Sequence, residues 1–335
     1  MTAMTSDAIL GLGRAFMESR VLLTAVELDV FTPLAGRTMT AADLAAALGT
    51  EPRATAVLLD ALVALELLDK RDGAYRCPPE VAALLSEGSE RSVAPMLRHS
   101  VALWRRWSAL TDMVRSGKPA AAPEPAQRER DREAFIAAMH AVAAPMAGAV
   151  VAAVQPDDAA RLLDVGGASG TYTEAFLAAS PSLRATLFDL PPVIEIARRR
   201  LRSAGVADRV TFVAGDFYRD ALPPGHDLAL LSAIIHQNSA EQNVALFRKV
   251  RQALLPGGRL IVRDHVMSPD HTRPLRGALF AVNMLVGTEG GGTYSFAEIR
   301  GGLEAAGFTE FRLLQADERM NGLVEAFVSP RRTPS

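Results

Sequence analysis

The stretch from Leu162 to Leu177, LLDVGGASGTYTEAFL, sets Gly166, Gly167 and Gly170 between an apolar strand-like run and a helix-like one. A glycine turn in that place brings backbone N–H groups and a helix N-terminus close to a nucleotide. The dinucleotide fingerprint G-x-G-x-x-G is not met, because Ala168 stands at its second glycine, and the G-K-[ST] ending of an ATP-type loop is absent. Nineteen residues after Gly170 comes Asp189, whose carboxylate can accept both hydroxyls of a ribose. Asp216 and Phe217, in AGDFY, offer an acceptor for an adenine amine and an aromatic for its face. The set suits an adenosine joined to something other than phosphate, although either aspartate alone also reads as an ordinary strand-end or turn carboxylate.

His236, in LLSAIIHQNS, falls at the end of an apolar run and so at the same edge as the glycine turn. An imidazole titrates near pH ~6.5 and can accept a proton at neutral pH. The plainer reading is a satisfied histidine capping a strand. Of the other five histidines, His99, His226 and His271 read as loop or helix-surface groups, while His140 and His265 flank pocket segments and are possible substrate contacts.

These residues need a scaffold, and the pattern from Arg161 onward supplies one. Seven strand-like runs, RLLDV, ATLFDL, VTFVAGD, LALLSAII, RLIVRDHV, FRLLQA and LVEAFV, alternate with helical ones such as VIEIARRRLRSAG and SAEQNVALFRKVRQALL, the second opened by a Ser239/Gln242 capping box. The fold class is α/β, a Rossmann-like, doubly wound seven-stranded sheet closing on an antiparallel hairpin, with ligands beyond the carboxyl ends of the strands. Ahead of it lies a smaller, mainly helical domain of winged-helix pattern. There Thr40 and Asp43 form a capping box, Gly49 stops the helix, Leu58, Ala61, Leu62, Leu65 and Leu68 share one face of the next, and Asp72-Gly73 turns a short hairpin. The expected division is 1–115 winged-helix-like domain, 116–154 linker (SGKPAAAPEPAQRERDRE) and connecting helix from Ala134, and 155–335 nucleoside-binding catalytic domain.

Composition narrows the partners. A net charge of −2 gives no basic excess, and over 51–69 the would-be recognition helix offers Arg53 against Glu51, Asp60, Glu66 and Asp69, so nucleic acid is not an expected partner. The single cysteine, Cys77, cannot form an internal disulfide and no Cys/His metal pattern is visible, which fits a reducing cytoplasm and no metal. The start MTAMTSDAILGLGRAF does not read as a signal peptide. The Ala-rich run 141–154 falls short of the ~20 residues of a spanning helix, so it reads as a buried helix and no membrane is expected.

Taken in order, LLDVGGASG, LFDLPPVIEIA, GDFY, ALLPGGRLIV, GGTYS and LEAAGF resemble the class I S-adenosylmethionine-dependent methyltransferases, and more narrowly the small-molecule O-methyltransferases of the caffeate and acetylserotonin type, including bacterial natural-product enzymes. LDVFTPLAG, TAADLAAALG and LLDALVALELL are similar to that family's N-terminal winged-helix dimerisation region, so the resemblance covers nearly the whole chain. It implies a homodimer that binds S-adenosyl-L-methionine, releases S-adenosyl-L-homocysteine and methylates a hydroxyl of a small aromatic molecule. Cofactor contacts would come from Asp164, Gly166, Gly167, Gly170, Asp189, Asp216, Phe217 and Ser232.

In the resembling enzymes the catalytic base stands at the position of His236, usually within His-Asp-Trp. Here the sequence reads His236-Gln237-Asn238, and neither follower carries a charge. Asp264, 28 residues on, stands where the family places an acid that orients the base. For the family's second acid, Glu289 precedes GGGTYS, whereas counting back from AAGF selects Thr293. The acceptor pocket would be lined by Trp104, Phe135, Met139 and His140 and by Phe280, Asn283 and Met284, residues that at helical spacing also suit a core. The altered triplet keeps open a relative diverted to hydroxylation, decarboxylation or pericyclic steps, and a second alternative is an N- or C-methyltransferase, which differs in whether a base is required.

Overall fold

The computed structural model describes residues 4–89, 91–118 and 125–330, the side chains of 125–134 excepted. The chain divides into two compact units, Met1–Trp104 with Pro125–Val142, and Arg105–Glu124 with Ala143–Ser335. This differs from a division at 115 and 155, because Trp107 bonds Asn283 of helix Leu275–Gly287 and the last turns of the connecting helix pack on the sheet.

The first unit carries helices Ser6–Arg14, Phe16–Glu27, Ala41–Leu48, Pro52–Ala64, Pro79–Leu85 and Ala94–Trp107, with a small sheet in which Ala74–Arg76 lies between Thr38–Thr40 and Asp69–Arg71. Thr40 and Asp43 form their capping box, and Gly49 ends the helix at φ +66°. The expected face of the following helix is corrected. That helix stops at Ala64, its buried residues are Thr55, Leu59 and Leu62, and Leu68 is buried from beyond its end.

The expected linker needs correction as well. Its residues 119–124 lie outside the described set, and from Pro125 the chain is already helical, one helix running Pro125–Val154. Proline is favoured at a helix start and the Gln, Arg and Glu that follow are good helix formers, so this charge-rich stretch is helix and not connection. The apolar part also reaches further back than 141: Phe135–Val154 is the one helix, among the described residues, long and apolar enough to cross a membrane by length and composition. Its final turns are spent on the protein itself, with Ala147, Val150, Val151 and Val154 packed against Leu162, Phe176 and Leu228.

The second unit is built on seven strands: β1 Arg161–Val165, β2 Arg184–Asp189, β3 Val210–Ala214, β4 His226–Ser232, β5 Leu254–Asp264, β6 Thr309–Gln315 and β7 Gly322–Phe327. Their order is β6-β7-β5-β4-β1-β2-β3. The first five are parallel, and β7 inserts antiparallel between β5 and β6. Both faces are covered, as a parallel sheet requires. Leu162, Leu228, Leu230 and Ile261 face the core under helices Pro125–Val154 and Thr171–Ala179, while Leu163, Val165, Leu231 and Val262 face the core under Ala240–Ala253 and Phe296–Ala305. The strand order reverses at β1 and β4, which makes the crevice above their carboxyl ends the switch point.

Two further expectations are corrected. β4 ends at Ser232, not at Ile235: Ala233 adopts φ +58°, and Ile235–Gln237 form one 3-10 turn. The apolar run continues past the strand because Ile234 and Ile235 are buried as turn residues. His226 is no surface group, since it is 5% exposed at the start of β4 and bonds Thr186 Oγ1 through Nε2 at 2.9 Å.

Candidate active site

The glycine turn follows β1 directly. Gly166 and Gly170 have φ of +71° and +77°, and a Cβ on Gly166, Gly167 or Gly170 would come within 2.5 Å of Ile234, 2.8 Å of Leu187 or 2.7 Å of Leu201. The three glycines are therefore required by the protein's own packing as well as by the shape of the turn. Asp189, at the tip of β2, pins the turn by accepting the Ala168 N–H at 2.9 Å, and its other oxygen accepts the Leu190 N–H at 2.7 Å. Each carboxylate oxygen keeps a second lone pair for a ribose hydroxyl. Burial raises the pKa of Asp189. Past β3, Asp216 accepts the Tyr218 N–H at 2.9 Å, and the Phe217 and Tyr218 rings lie 4.6 Å apart.

Asp164 turns inward. It is 2% exposed and accepts the Thr173 hydroxyl at 2.6 Å, in the first turn of helix Thr171–Ala179. Burial pushes its pKa up to about 6. Ser232 is half-buried at the end of β4 and accepts from Arg263 at 3.2 Å.

On the other face of the sheet the 3-10 turn holds His236 over the tip of β5. Nδ1 of His236 stands 2.8 Å from one oxygen of Asp264 and 3.0 Å from the other, and the Asp264 side chain is 1% exposed. Asp264 also accepts the His265 N–H at 2.8 Å. With Nδ1 donating to a carboxylate, Nε2 is left as the proton acceptor. The Phe280 ring meets His236 edge-on at 4.8 Å and His265 at 5.1 Å. His265 is buried, its Nδ1 has no partner, and burial lowers its pKa.

The two residues after His236 part company. The Gln237 side chain makes no hydrogen bond among the described residues. Asn238 is fully buried and acts as a hub: its side-chain oxygen accepts from the Tyr218 hydroxyl, its backbone oxygen from the Tyr294 hydroxyl, and its amide donates to Asn243 at 3.0 Å. Asn243 in turn donates to the Ile235 carbonyl at 2.9 Å. Four side chains thus fix the turn that carries His236. The sequence reading missed this hub, since nothing in the run Gln-Asn-Ser announces it.

Glu289 is exposed and its side chain pairs with nothing among the described residues. Its segment still touches the site, because the Gly292 N–H donates to the His236 carbonyl at 2.8 Å. Thr293 is 6% exposed with an unpartnered Oγ1. Of the residues expected to line an acceptor pocket, Phe280, Asn283 and Met284 lie on helix Leu275–Gly287 of the second unit, with Asn283 accepting from Trp107 Nε1 at 3.0 Å. Trp104, Phe135, Met139 and His140 belong to the first unit, where Trp104 packs on Phe16 and Phe135 on His99.

The O-methyltransferase domain profile matches residues 107–309, and the O-methyltransferase dimerisation domain profile matches residues 10–87. The chain belongs to the O-methyltransferase family. An O-methyltransferase similar to it is the tetracenomycin polyketide synthesis 8-O-methyl transferase of Streptomyces glaucescens, 34% identical over 317 residues, 91% of each chain. Another is the 3-hydroxy-5-methyl-1-naphthoate 3-O-methyltransferase of Streptomyces sahachiroi, 32% identical over 323 residues, 93% of this chain and 92% of that one. Among solved structures, human N-acetylserotonin methyltransferase in complex with SAM superposes with a TM-score of 0.85 at 26% identity, covering 98% of this O-methyltransferase and 99% of the human chain.

Proposed function

We propose that this O-methyltransferase uses S-adenosyl-L-methionine to methylate a hydroxyl of an aromatic natural-product intermediate, with His236 as general base and Asp264 as the group that orients it. The observation that carries the reading is the contact of His236 Nδ1 with the buried Asp264 carboxylate at 2.8 Å. The cofactor fits the residues present: a pinned glycine turn, the spare lone pairs of Asp189 for ribose, and Asp216 and Phe217 for adenine. When bound, it supplies an electrophilic methyl carbon on a cationic sulfonium.

The chain's own residues do the rest. A phenol, with a pKa near ~10, reacts as its phenolate, so a base within reach of the hydroxyl is worth about 10²–10⁴-fold. Nε2 of His236 takes that proton, and the Asp264 carboxylate holds the Nδ1 proton and stabilises the resulting imidazolium. Phe280, against both His236 and His265, excludes water from the imidazole and offers an aromatic wall. Asn238 and its tyrosines keep the turn rigid, which serves alignment of the acceptor oxygen. The names of the two Streptomyces relatives, a polyketide and a naphthoate enzyme, support an aromatic acceptor.

Homodimerisation completes the reading. Helix Ser6–Arg14 buries none of its residues, and Ile9, Leu10, Leu12, Phe16 and Met17 are all more than half exposed, an apolar patch suited to a second copy of the chain. Cys77 is buried with its pKa raised to about 11, the state of an inert thiol in a reducing cytoplasm. Incubation with methyl-labelled cofactor and polyhydroxylated naphthoate or anthraquinone acceptors tests the function. Label in an aryl methyl ether is the expected result, and acceptor turnover without label transfer overturns it.

A further inference from the structure

Arg263, next to Asp264 at the tip of β5, is 4% exposed and forms no ion pair among the described residues. Nη1 donates to Ser232 Oγ at 3.2 Å and Nη2 to Asn321 Oδ1 at 3.0 Å, while Nε has no partner. The guanidinium lies over the Tyr172 ring at 5.0 Å, and the buried Tyr172 hydroxyl is also unpartnered. Asp264 and Asp317 act on Arg263 only at longer range, Asp317 by way of Asn321, which donates to it at 3.3 Å. An arginine stays protonated even when burial lowers its pKa, and a buried cation without a contacting anion is costly. Its contacting partners are neutral acceptors, and among the described residues no acceptor-only group touches it.

The location says which group is missing. Ser232 closes β4 beside β1, at the switch point, and Tyr172 comes two residues after Gly170. Because alternate residues of β5 face opposite sides, Arg263 points to the face opposite Asp264 and His236, with Tyr172 and Ser232. Ser232 Oγ accepts from the guanidinium and neighbours the Tyr172 hydroxyl, and being half-buried it can be reached from the crevice.

We propose that Ser232, backed by Arg263, receives the α-carboxylate of the methionine half of S-adenosylmethionine. That carboxylate is the cofactor's one anionic, acceptor-only group, and it supplies the charge that the Arg263 environment lacks. Arg263 acts through Ser232 as a positioning residue, so the pair grips the amino-acid end while Asp189 serves the ribose. The inference rests on the cofactor reading above.

Two ligands separate the cases: S-adenosylhomocysteine, which has the carboxylate, and 5′-methylthioadenosine, which keeps the thioether nucleoside without it. By calorimetry, Arg263→Met should weaken S-adenosylhomocysteine by about 10- to 100-fold, the range of a charge-assisted contact. Binding of methylthioadenosine should be unchanged within about threefold, and Arg263→Lys should restore part of the loss. Equal loss for both ligands in folded Arg263→Met, or no loss for either, overturns the proposal. Should that variant not fold, a crystal structure of the wild-type protein with S-adenosylhomocysteine decides. A carboxylate oxygen in hydrogen-bond contact with Ser232 Oγ or the Arg263 guanidinium supports it, and a carboxylate directed elsewhere overturns it. If the wild-type protein binds neither ligand, the cofactor reading falls and this inference with it.

Discussion

The imidazole of His236 and the carboxylate of Asp264 face each other across the tips of β4 and β5 with Nδ1 2.8 Å from Oδ2. His236→Ala is expected to lower aryl-hydroxyl methylation by about 100-fold or more, with S-adenosylhomocysteine affinity kept, because only the proton acceptor is removed. Asp264→Asn leaves an amide that can present N–H to Nδ1 and select the wrong tautomer, so its kcat should also fall by roughly 10- to 1000-fold. Steady-state rates with a phenolic acceptor, set beside calorimetric cofactor binding, check both. Methylation undiminished in His236→Ala removes the base from the mechanism.

Asn238 and Gln237 should behave in opposite ways although both are neutral amides. Asn238→Ala strands the buried Asn243 amide oxygen and the Tyr218 hydroxyl, and should destabilise the second unit by about 1–3 kcal/mol. Gln237→Ala should change stability by no more than about 0.5 kcal/mol. Urea unfolding of the two variants makes the comparison.

Gly170→Ala combines an unfavourable positive φ with a Cβ 2.7 Å from Leu201, and a loss of about 2–4 kcal/mol is expected. Gly49→Ala, at φ +66° in open space, should lose only about 1 kcal/mol. Thermal melts would expose the difference, and equal losses would mean that crowding around the turn is unimportant.

Asp164 sets a pH dependence. Its folded-state pKa of about 6 lies above the ordinary carboxyl value, so its contribution favours folding fully below about pH 4 and is lost as pH rises through 6. Asp164→Asn keeps an acceptor for Thr173 and carries no charge. It should be more stable than the wild type by about 2–3 kcal/mol at pH 7.5, and the advantage should vanish toward pH 4. Denaturant titrations at the two pH values measure it.

Much of the scaffold could be read from residue order alone, because each strand is an apolar run and the capping boxes at Thr40 and Ser239 use side chains that encode their own geometry. A third box, Ser295 with Glu298, has the same S-x-x-E signal. The end of β4 was not legible, since Ala233 does not advertise a positive φ and the isoleucines beyond it are buried either way. Of the candidate site residues, His236, Asp189 and Asp264 stand out in the sequence by type and position. The Asn238 hub and the Arg263 cluster do not, because they are assembled from residues 20 to 60 positions apart, such as Tyr218 and Tyr294 around Asn238 and Ser232 and Asn321 around Arg263.

Arg263 and Asp264 are consecutive, so a single peptide unit divides a positive compartment from a negative one. A one-residue deletion in the preceding ALLPGGRLIV would set Asp264 where the cation stands, and a one-residue insertion would set Arg263 beneath the imidazole, so either change removes the carboxylate from His236. The register of this one strand thus fixes which sign of charge each face of the sheet tip presents.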